Sequence, residues 1–356
     1  MTEFSKKHVD SCRFCWMCHH ICPIGNATGQ ERNTARARAL GISLVNRDAI
    51  ALEEIIDNIY ECATCSACAH TCVTGWDPVL FTREARLKAA LAGALPEYIN
   101  ILIDNCLDTG NAYGKEDISP ELKEIISKHG EKTDTLLWLG TDARYMAPAQ
   151  GINAVRVMEK YAPSFTVLED EPDCGTHLDF LIGTAEETKN IMQSAADIMN
   201  NYTKVVIFDP ADAKTIKRAF GEMGIELSCE AVTFTSFLAP LAKGEKTLRD
   251  AAIQDAFQLS RELGETEPIR EIVSKYAYIR EFLLNGEETV WAGNILMSRY
   301  MGRVIKKVAE MRISNAESIG AKYIITESVG EYVSLKSVKQ DKIGIIALEN
   351  LILGEY

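Results

Sequence analysis

Eight of the eleven cysteines in this 356-residue chain fall into two runs of identical spacing. The first is Cys12, Cys15, Cys18 and Cys22, followed by Pro23; the second is Cys62, Cys65, Cys68 and Cys72. Both read CxxCxxCxxxC. Three thiolates two residues apart wrap one cubane cluster in a tight turn, while the fourth, three residues on, points towards a neighbouring cluster. The spacing therefore assigns Cys12, Cys15, Cys18 and Cys72 to one 4Fe-4S cluster, and Cys62, Cys65, Cys68 and Cys22 to a second. Crossed fourth ligands would tie the two halves together. Two alternatives match less well. Zinc sites pair two CxxC units across a longer gap, and disulfide frameworks belong to short secreted chains.

The rest of the composition sets limits on partners. A formal charge of −13 argues against nucleic acid, whose phosphates are bound by an excess of Lys and Arg. No apolar run is long enough to cross a bilayer and no leader-like run follows Lys6 and Lys7, so the expectation is a cytoplasmic protein that does not span a membrane. With 47% hydrophobic and 25% charged residues, the chain has enough apolar material for several ordinary cores.

Between the quartets the filler reads as helical. Leu52, Ile55, Ile56 and Ile59 recur at helical spacing just before Cys62, and Phe81 to Leu95 is rich in helix formers up to Pro96. Arg32, Arg36 and Arg38 lie between the quartets and Arg13 inside the first. They serve either to offset cluster charge and steer an acidic partner, or simply as a solvated helix face. Trp16 and Met17 are placed to exclude water from a cluster; His19 and His20 have no ligand vacancy to fill. Ser119 and Pro120 open a short helix ending at Gly130.

From residue 135 short apolar runs alternate with helical segments: 135–140, 165–170, 204–209 and 231–238, then 288–293, 322–328 and 343–353. Such alternation predicts α/β layers with largely parallel sheets. The expected organisation is α + α/β: an N-terminal α-helical ferredoxin domain over 1–95, a helical connector over 96–134, and two similar Rossmann-like α/β units over 135–245 and 246–356.

The double quartet, the intervening NTARARA, the GNAYG turn and the paired α/β units together resemble the heterodisulfide reductase-like family across nearly the whole chain. That family includes the iron-sulfur subunits of glycolate oxidase and of anaerobic glycerol-3-phosphate dehydrogenase. The resemblance implies that each α/β unit is a cysteine-rich domain carrying a lone cysteine, a CCG and a CxxC. Here the frame persists while most of those cysteines do not. In the first unit the positions read Thr141, Asp173-Cys174-Gly175, and Asp209 to Asp212; in the second, Phe257, Trp291-Ala292-Gly293, and Ser328 to Glu331. The flanking Glu267-Pro-Ile-Arg270, Arg312 and the GAKYIIT of 320–326 agree with the family as well. Val73 also departs, standing where the family has proline after the fourth cysteine.

A site short of four or five thiols cannot assemble the family's substrate-reducing cluster, so electron carriage is the function that the resemblance leaves. The expectation is a non-catalytic electron-transfer subunit of an oxidoreductase complex. It would relay electrons through two 4Fe-4S clusters between a flavin-containing dehydrogenase or electron-transfer flavoprotein and a further acceptor subunit, with the α/β units as docking scaffold. No GxGxxG follows a strand, so flavin is expected on the partner. The alternative is an oxidoreductase with its own metal or thiol site, where Cys174 is the candidate and Asp173, Asp209 and Asp212 are its neighbours. Cys106 and Cys229 have no spaced partners and read as structural.

Overall fold

The computed structural model describes residues 2–339 and 341–356. Up to residue 127 the chain is helical, and after it come two four-stranded parallel sheets with helices packed on them.

Local signals set the helix ends. Asp77 caps the helix Pro78–Ala92 by accepting from the Val79 and Leu80 amides at 2.9 and 3.3 Å. That helix stops at Gly93, which takes the left-handed conformation, rather than at Pro96 as expected. The run before Cys62 is not one helix either. It splits into a 3-10 turn, Leu52–Glu54, and a short helix, Ile56–Tyr60, because Glu54 turns back to accept from the Ala51 amide. Ser119 caps Pro120–Ser127 through the Leu122 amide at 3.2 Å, as its sequence position predicts.

The first sheet comprises β1 (Thr135–Trp138), β2 (Thr166–Val167), β3 (Lys204–Ile207) and β4 (Glu230–Thr233), in the order β2-β1-β3-β4. The second comprises β5 (Leu248–Gln254), β6 (Ala277–Ile279), β7 (Tyr323–Thr326) and β8 (Gly344–Ala347), in the order β6-β5-β7-β8. The two orders are the same crossover pattern repeated.

Three sequence expectations need correction here. Residues 288–293 form no strand. Their polar groups are met by side chains instead: Gln254 Nε2 donates to the Val290 carbonyl at 3.0 Å, and the Ala292 amide donates to Glu331 Oε1 at 2.9 Å. β5 and β6 were not expected, since the charged pair Arg249 and Asp250 follows the first residue of β5 and β6 is only three residues long. The runs at 231–238 and 343–353 are each half strand and half helix. Thr233 ends β4 and caps the helix Phe234–Leu238 through the Ser236 amide, and Leu348–Leu353 follows β8 directly.

One continuous apolar core joins both sheets. Leu137, Val206 and Phe234 from the first lie in the same cluster as Ile253, Ile325 and Ile346 from the second. The helical part has its own core around Ile42, Ile59 and Phe81, into which Leu178 and Leu181 of the first α/β unit also pack.

Candidate iron-sulfur centres and an adjoining cavity

Each quartet loop carries two residues in the left-handed region, at equivalent places: Phe14 and Trp16 in the first (φ 57° and 68°), Thr64 and Ser66 in the second (φ 48° and 58°). Such conformations cost free energy in non-glycine residues, so their repetition marks a backbone held for a purpose. The turn aims backbone donors at sulfur. The Phe14 amide lies 3.4 Å from Cys12 Sγ, the Thr64 amide 3.4 Å from Cys62 Sγ, and the Gly25 amide 3.4 Å from Cys22 Sγ.

The thiols gather as two sets. Cys12, Cys15, Cys18 and Cys72 line one pocket with Arg13, Trp16, Met17 and Arg36. Cys62, Cys65, Cys68 and Cys22 line the other, with Arg38 beside them. In each the fourth cysteine comes from the opposite run. Among the described residues no group of three or more His, Cys, Asp or Glu side chains is placed to hold a metal ion; the thiols surround a space. Four thiols per pocket, with no carboxylate in either lining, are the donor chemistry of a 4Fe-4S cluster. Burial pushes the Cys18 thiol up to about 11 and the Cys65 thiol to about 12, so loading with iron must displace protons.

The arginines between the quartets divide by role. Arg38 is buried beside the second set and donates to the Asn33 and Asn58 carbonyls at 3.2 and 3.0 Å. Arg36 lies over the Trp16 ring at 3.7 Å, and Arg32 is a solvated residue paired with Glu61. Two further arginines, not singled out by the sequence, hold the second loop from behind. Arg86 is fully buried and donates to the carbonyls of Cys62 at 2.7 Å, Ile59 at 3.1 Å and Phe180 at 2.6 Å. Arg261, from the second α/β unit, donates to the Cys65 carbonyl at 2.5 Å and the Thr289 carbonyl at 2.6 Å.

Behind that loop lies a cavity of about 80 Å³, reached by Thr64 and by residues that follow strands of both sheets. Asp142 and Asp209 follow β1 and β3; Phe257 and Ser328 follow β5 and β7. Carboxyl ends of parallel strands are where α/β folds place ligands. Several positions at which the family resemblance implies cysteines, among them Phe257, Trp291 and Ser328, therefore line this one space.

His177 on its wall was not foreseen. Its Nε2 lies 3.1 Å from Asp142 Oδ1, which also accepts from the Tyr113 hydroxyl at 2.5 Å. Burial alone would lower the imidazole, but the bond to Asp142 and the nearby charges of Asp142, Asp173 and Asp212 raise it to about 9. Burial pushes Glu171 up to about 7 and Asp173, with help from Asp212, to about 6. Among the described residues His177 Nδ1 and Asp173 Oδ2 have no hydrogen-bond partner. In the sequence, the signal for His177 is its place three residues after Cys174. The pairing with Asp142 leaves no local trace.

Cys174 lies deeper. It is buried against Thr176, whose hydroxyl is 3.1 Å from Sγ, and Asp212, which also accepts from Trp138 Nε1 at 3.2 Å. Burial, with the charges of Asp212 and Asp173, drives the thiol well above its ordinary range, the reverse of an activated nucleophile. Cys106 is buried in the helical core and Cys229 is half-buried.

Residues 8–76 match the family model of the 4Fe-4S dicluster domain. One component of the dihydromethanophenazine:CoB–CoM heterodisulfide reductase of Methanosarcina acetivorans is 24% identical over 322 aligned positions, covering 77% of this chain and 74% of the relative. The Methanosarcina mazei counterpart is 23% identical over the same extent. Among solved structures, a hypothetical protein from Helicobacter pylori superposes with a TM-score of 0.54 at 11% identity, covering all of this chain and 73% of that one, which is a likeness of fold.

A cysteine-lined helical domain of this kind, joined to paired parallel sheets, makes the chain an iron-sulfur electron-transfer protein that binds 4Fe-4S clusters. The dicluster match over residues 8–76 and the likeness to a heterodisulfide reductase component over 77% of the chain both support a heterodisulfide reductase-like protein. Among the described residues no helix is long and apolar enough to cross a membrane.

Proposed function

We propose that the chain is the electron-relay subunit of a multi-subunit oxidoreductase, working between a flavoprotein and a downstream acceptor through two 4Fe-4S clusters. The observation that carries this is the pair of four-thiol pockets, each completed by a cysteine from the other run. Cys12, Cys15, Cys18 and Cys72 would hold one cluster, and Cys62, Cys65, Cys68 and Cys22 the other. Bound there, such clusters supply one-electron carriage, which suits a two-electron flavin passing electrons singly. The amides of Phe14, Thr64 and Gly25 stabilise thiolate charge, Arg38 offsets it, and Trp76 keeps water from the first set. The kinship with a component of a heterodisulfide reductase supports placement in a complex. The α/β units serve as its scaffold.

The test is iron, acid-labile sulfide and zinc per chain on anaerobically purified protein, repeated for Cys72→Ser and Cys22→Ser. About eight iron with matching sulfide is expected. Cys72→Ser should disturb the cluster of Cys12, and Cys22→Ser that of Cys62. Zinc in place of iron would end the proposal.

A second reading, an oxidoreductase site on this chain itself, is favoured by the cavity bordering Thr64. It would use the His177–Asp142 pair rather than the Cys174 thiol. Cys174→Ser would then leave any substrate-dependent reoxidation of the clusters intact while His177→Gln abolishes it; loss with Cys174→Ser alone would reverse that assignment.

A further inference from the structure

The two quartet loops share one backbone and differ in what they show to solvent. In the first, Phe14 is 63% exposed, Trp16 43% and Met17 49%, and Val73 beside Cys72 is 85% exposed. At the matching places in the second, Thr64 is 8% exposed and Ala67 2%. Cys15 is exposed where Cys65 is buried. The second loop is covered by Phe257 and Trp291, which share its apolar cluster, and clamped by Arg86 and Arg261. Its sequence suits that burial with small residues, whereas the first places large apolar side chains where water would penalise them.

The exposed rim is also held in shape. The Arg36 guanidinium lies 3.7 Å from the Trp16 ring centroid and 5.5 Å from that of Phe14, while it pairs with Glu31. A cation stacked on two exposed aromatics limits their rotamers before any partner arrives, which reduces the entropy lost on contact.

Charge selects among partners. The first 40 residues hold six Lys and Arg against three Asp and Glu, in a chain whose net charge is −13. Two of those cations, Arg13 and Arg36, line the first thiol pocket and no carboxylate does. Arg13 is exposed and has no ion-pair partner among the described residues. Arg36 is already paired with Glu31, so Arg13 is the cation this rim offers to an acidic side chain of a partner.

We infer that the rim of Phe14, Trp16, Met17 and Val73, with Arg13 at its edge, is the docking surface for an acidic one-electron carrier protein, and that electrons cross there. This rests on the proposed relay function. In each encounter the carrier is oxidised by one electron and the group held by Cys12, Cys15, Cys18 and Cys72 is reduced by one, or the reverse; no bond or proton moves. The second loop serves internal transfer.

The test uses the full, cluster-loaded chain, with an acidic plant-type 2Fe-2S ferredoxin as probe and a basic c-type cytochrome as control. Binding of oxidised ferredoxin is measured by calorimetry and electron exchange by stopped flow, both against salt. The expected result is binding that weakens steeply with salt. Compared per loaded chain, Arg13→Glu and Trp16→Ala should each reduce affinity and second-order rate about tenfold or more, and Val73→Asp, outside the pocket lining, should do the same. Charge reversal at exposed Lys339 should do neither. Wild-type values for Arg13→Glu and Trp16→Ala in fully loaded protein would overturn the docking surface and leave the relay function standing, as would faster exchange with the basic cytochrome. A dimer that Trp16→Ala abolishes would assign the face to a second copy instead. Protein that takes up no iron would overturn the relay function and this surface with it.

Discussion

Arg86 answers three backbone carbonyls from inside the protein. Hydrogen bonds from a charged donor contribute more than neutral ones, and carbonyls left unpaired after its removal carry their full desolvation cost. Arg86→Ala should therefore lower stability by about 3 kcal/mol or more, read from urea unfolding, and should loosen the loop of Cys62 enough to reduce its iron occupancy. Unaltered iron with unaltered unfolding would show that the loop keeps its shape without it. At His177 the sign of a pH effect can be worked out. Its folded-state value, about 9, lies above the unfolded reference of about 6.5. The folded state thus binds the extra proton, and the contribution, on the order of 3 kcal/mol, is full below pH 6.5 and disappears as pH rises through 9. The stability gap between the protein and His177→Asn should be widest near pH 6 and nearly closed at pH 10. A gap that stays constant would refute the His177–Asp142 ion pair. The sequence held no sign of that pair, because its members lie 35 positions apart on two short helices, Thr141–Tyr145 and Thr176–Ile182, that only the fold brings together. The thiols were legible for the opposite reason: three of four in each set are neighbours in the chain, and their chemistry tolerates few other spacings.

Elements explain which parts of the fold could be read in advance. β1, β3, β7 and β8 are short, largely apolar runs, and alternation with helices revealed them. In β5 Arg249 and Asp250 follow the first residue at the sheet margin, where Asp250 pairs with Arg280 at 2.6 Å, so its charged start hid a buried strand. The segment 288–293 deceived in the other direction, being apolar and extended yet bonded through Gln254 and Glu331 instead of a ladder. The glycine ending that segment is fixed by its backbone and its neighbours. Gly293 has φ 120°, and a Cβ there would stand 2.6 Å from Ser334 Oγ and 2.7 Å from Ser334 Cβ, within the helix Val329–Lys336. Gly175 has φ 86° with Met192 similarly close. At both, backbone and packing forbid a side chain. Gly293→Ala should cost roughly 2–4 kcal/mol, since strain and overpacking add. Thermal unfolding within a degree of the parent would show that the helix moves aside freely.

On the scale of the molecule, the apolar core runs through both α/β units without interruption, and polar contacts reinforce the joint. Arg156 pairs with Glu355 at 2.6 Å and Lys160 donates to the Ile352 carbonyl at 3.2 Å. Residues 135–245 and 246–356 should therefore melt together. Calorimetry should give one transition for both, and two resolved ones would mean that the shared core contributes little to cooperativity. The doubled crossover order has a further meaning. When a layout occurs twice and its copies meet at corresponding ends, the hollow between them belongs to neither copy; it is a product of their symmetry. Its walls are set by where strands stop, so side chains there can change while the hollow stays. Here the hollow reaches Thr64, so whatever enters it meets the backbone of the second thiol loop.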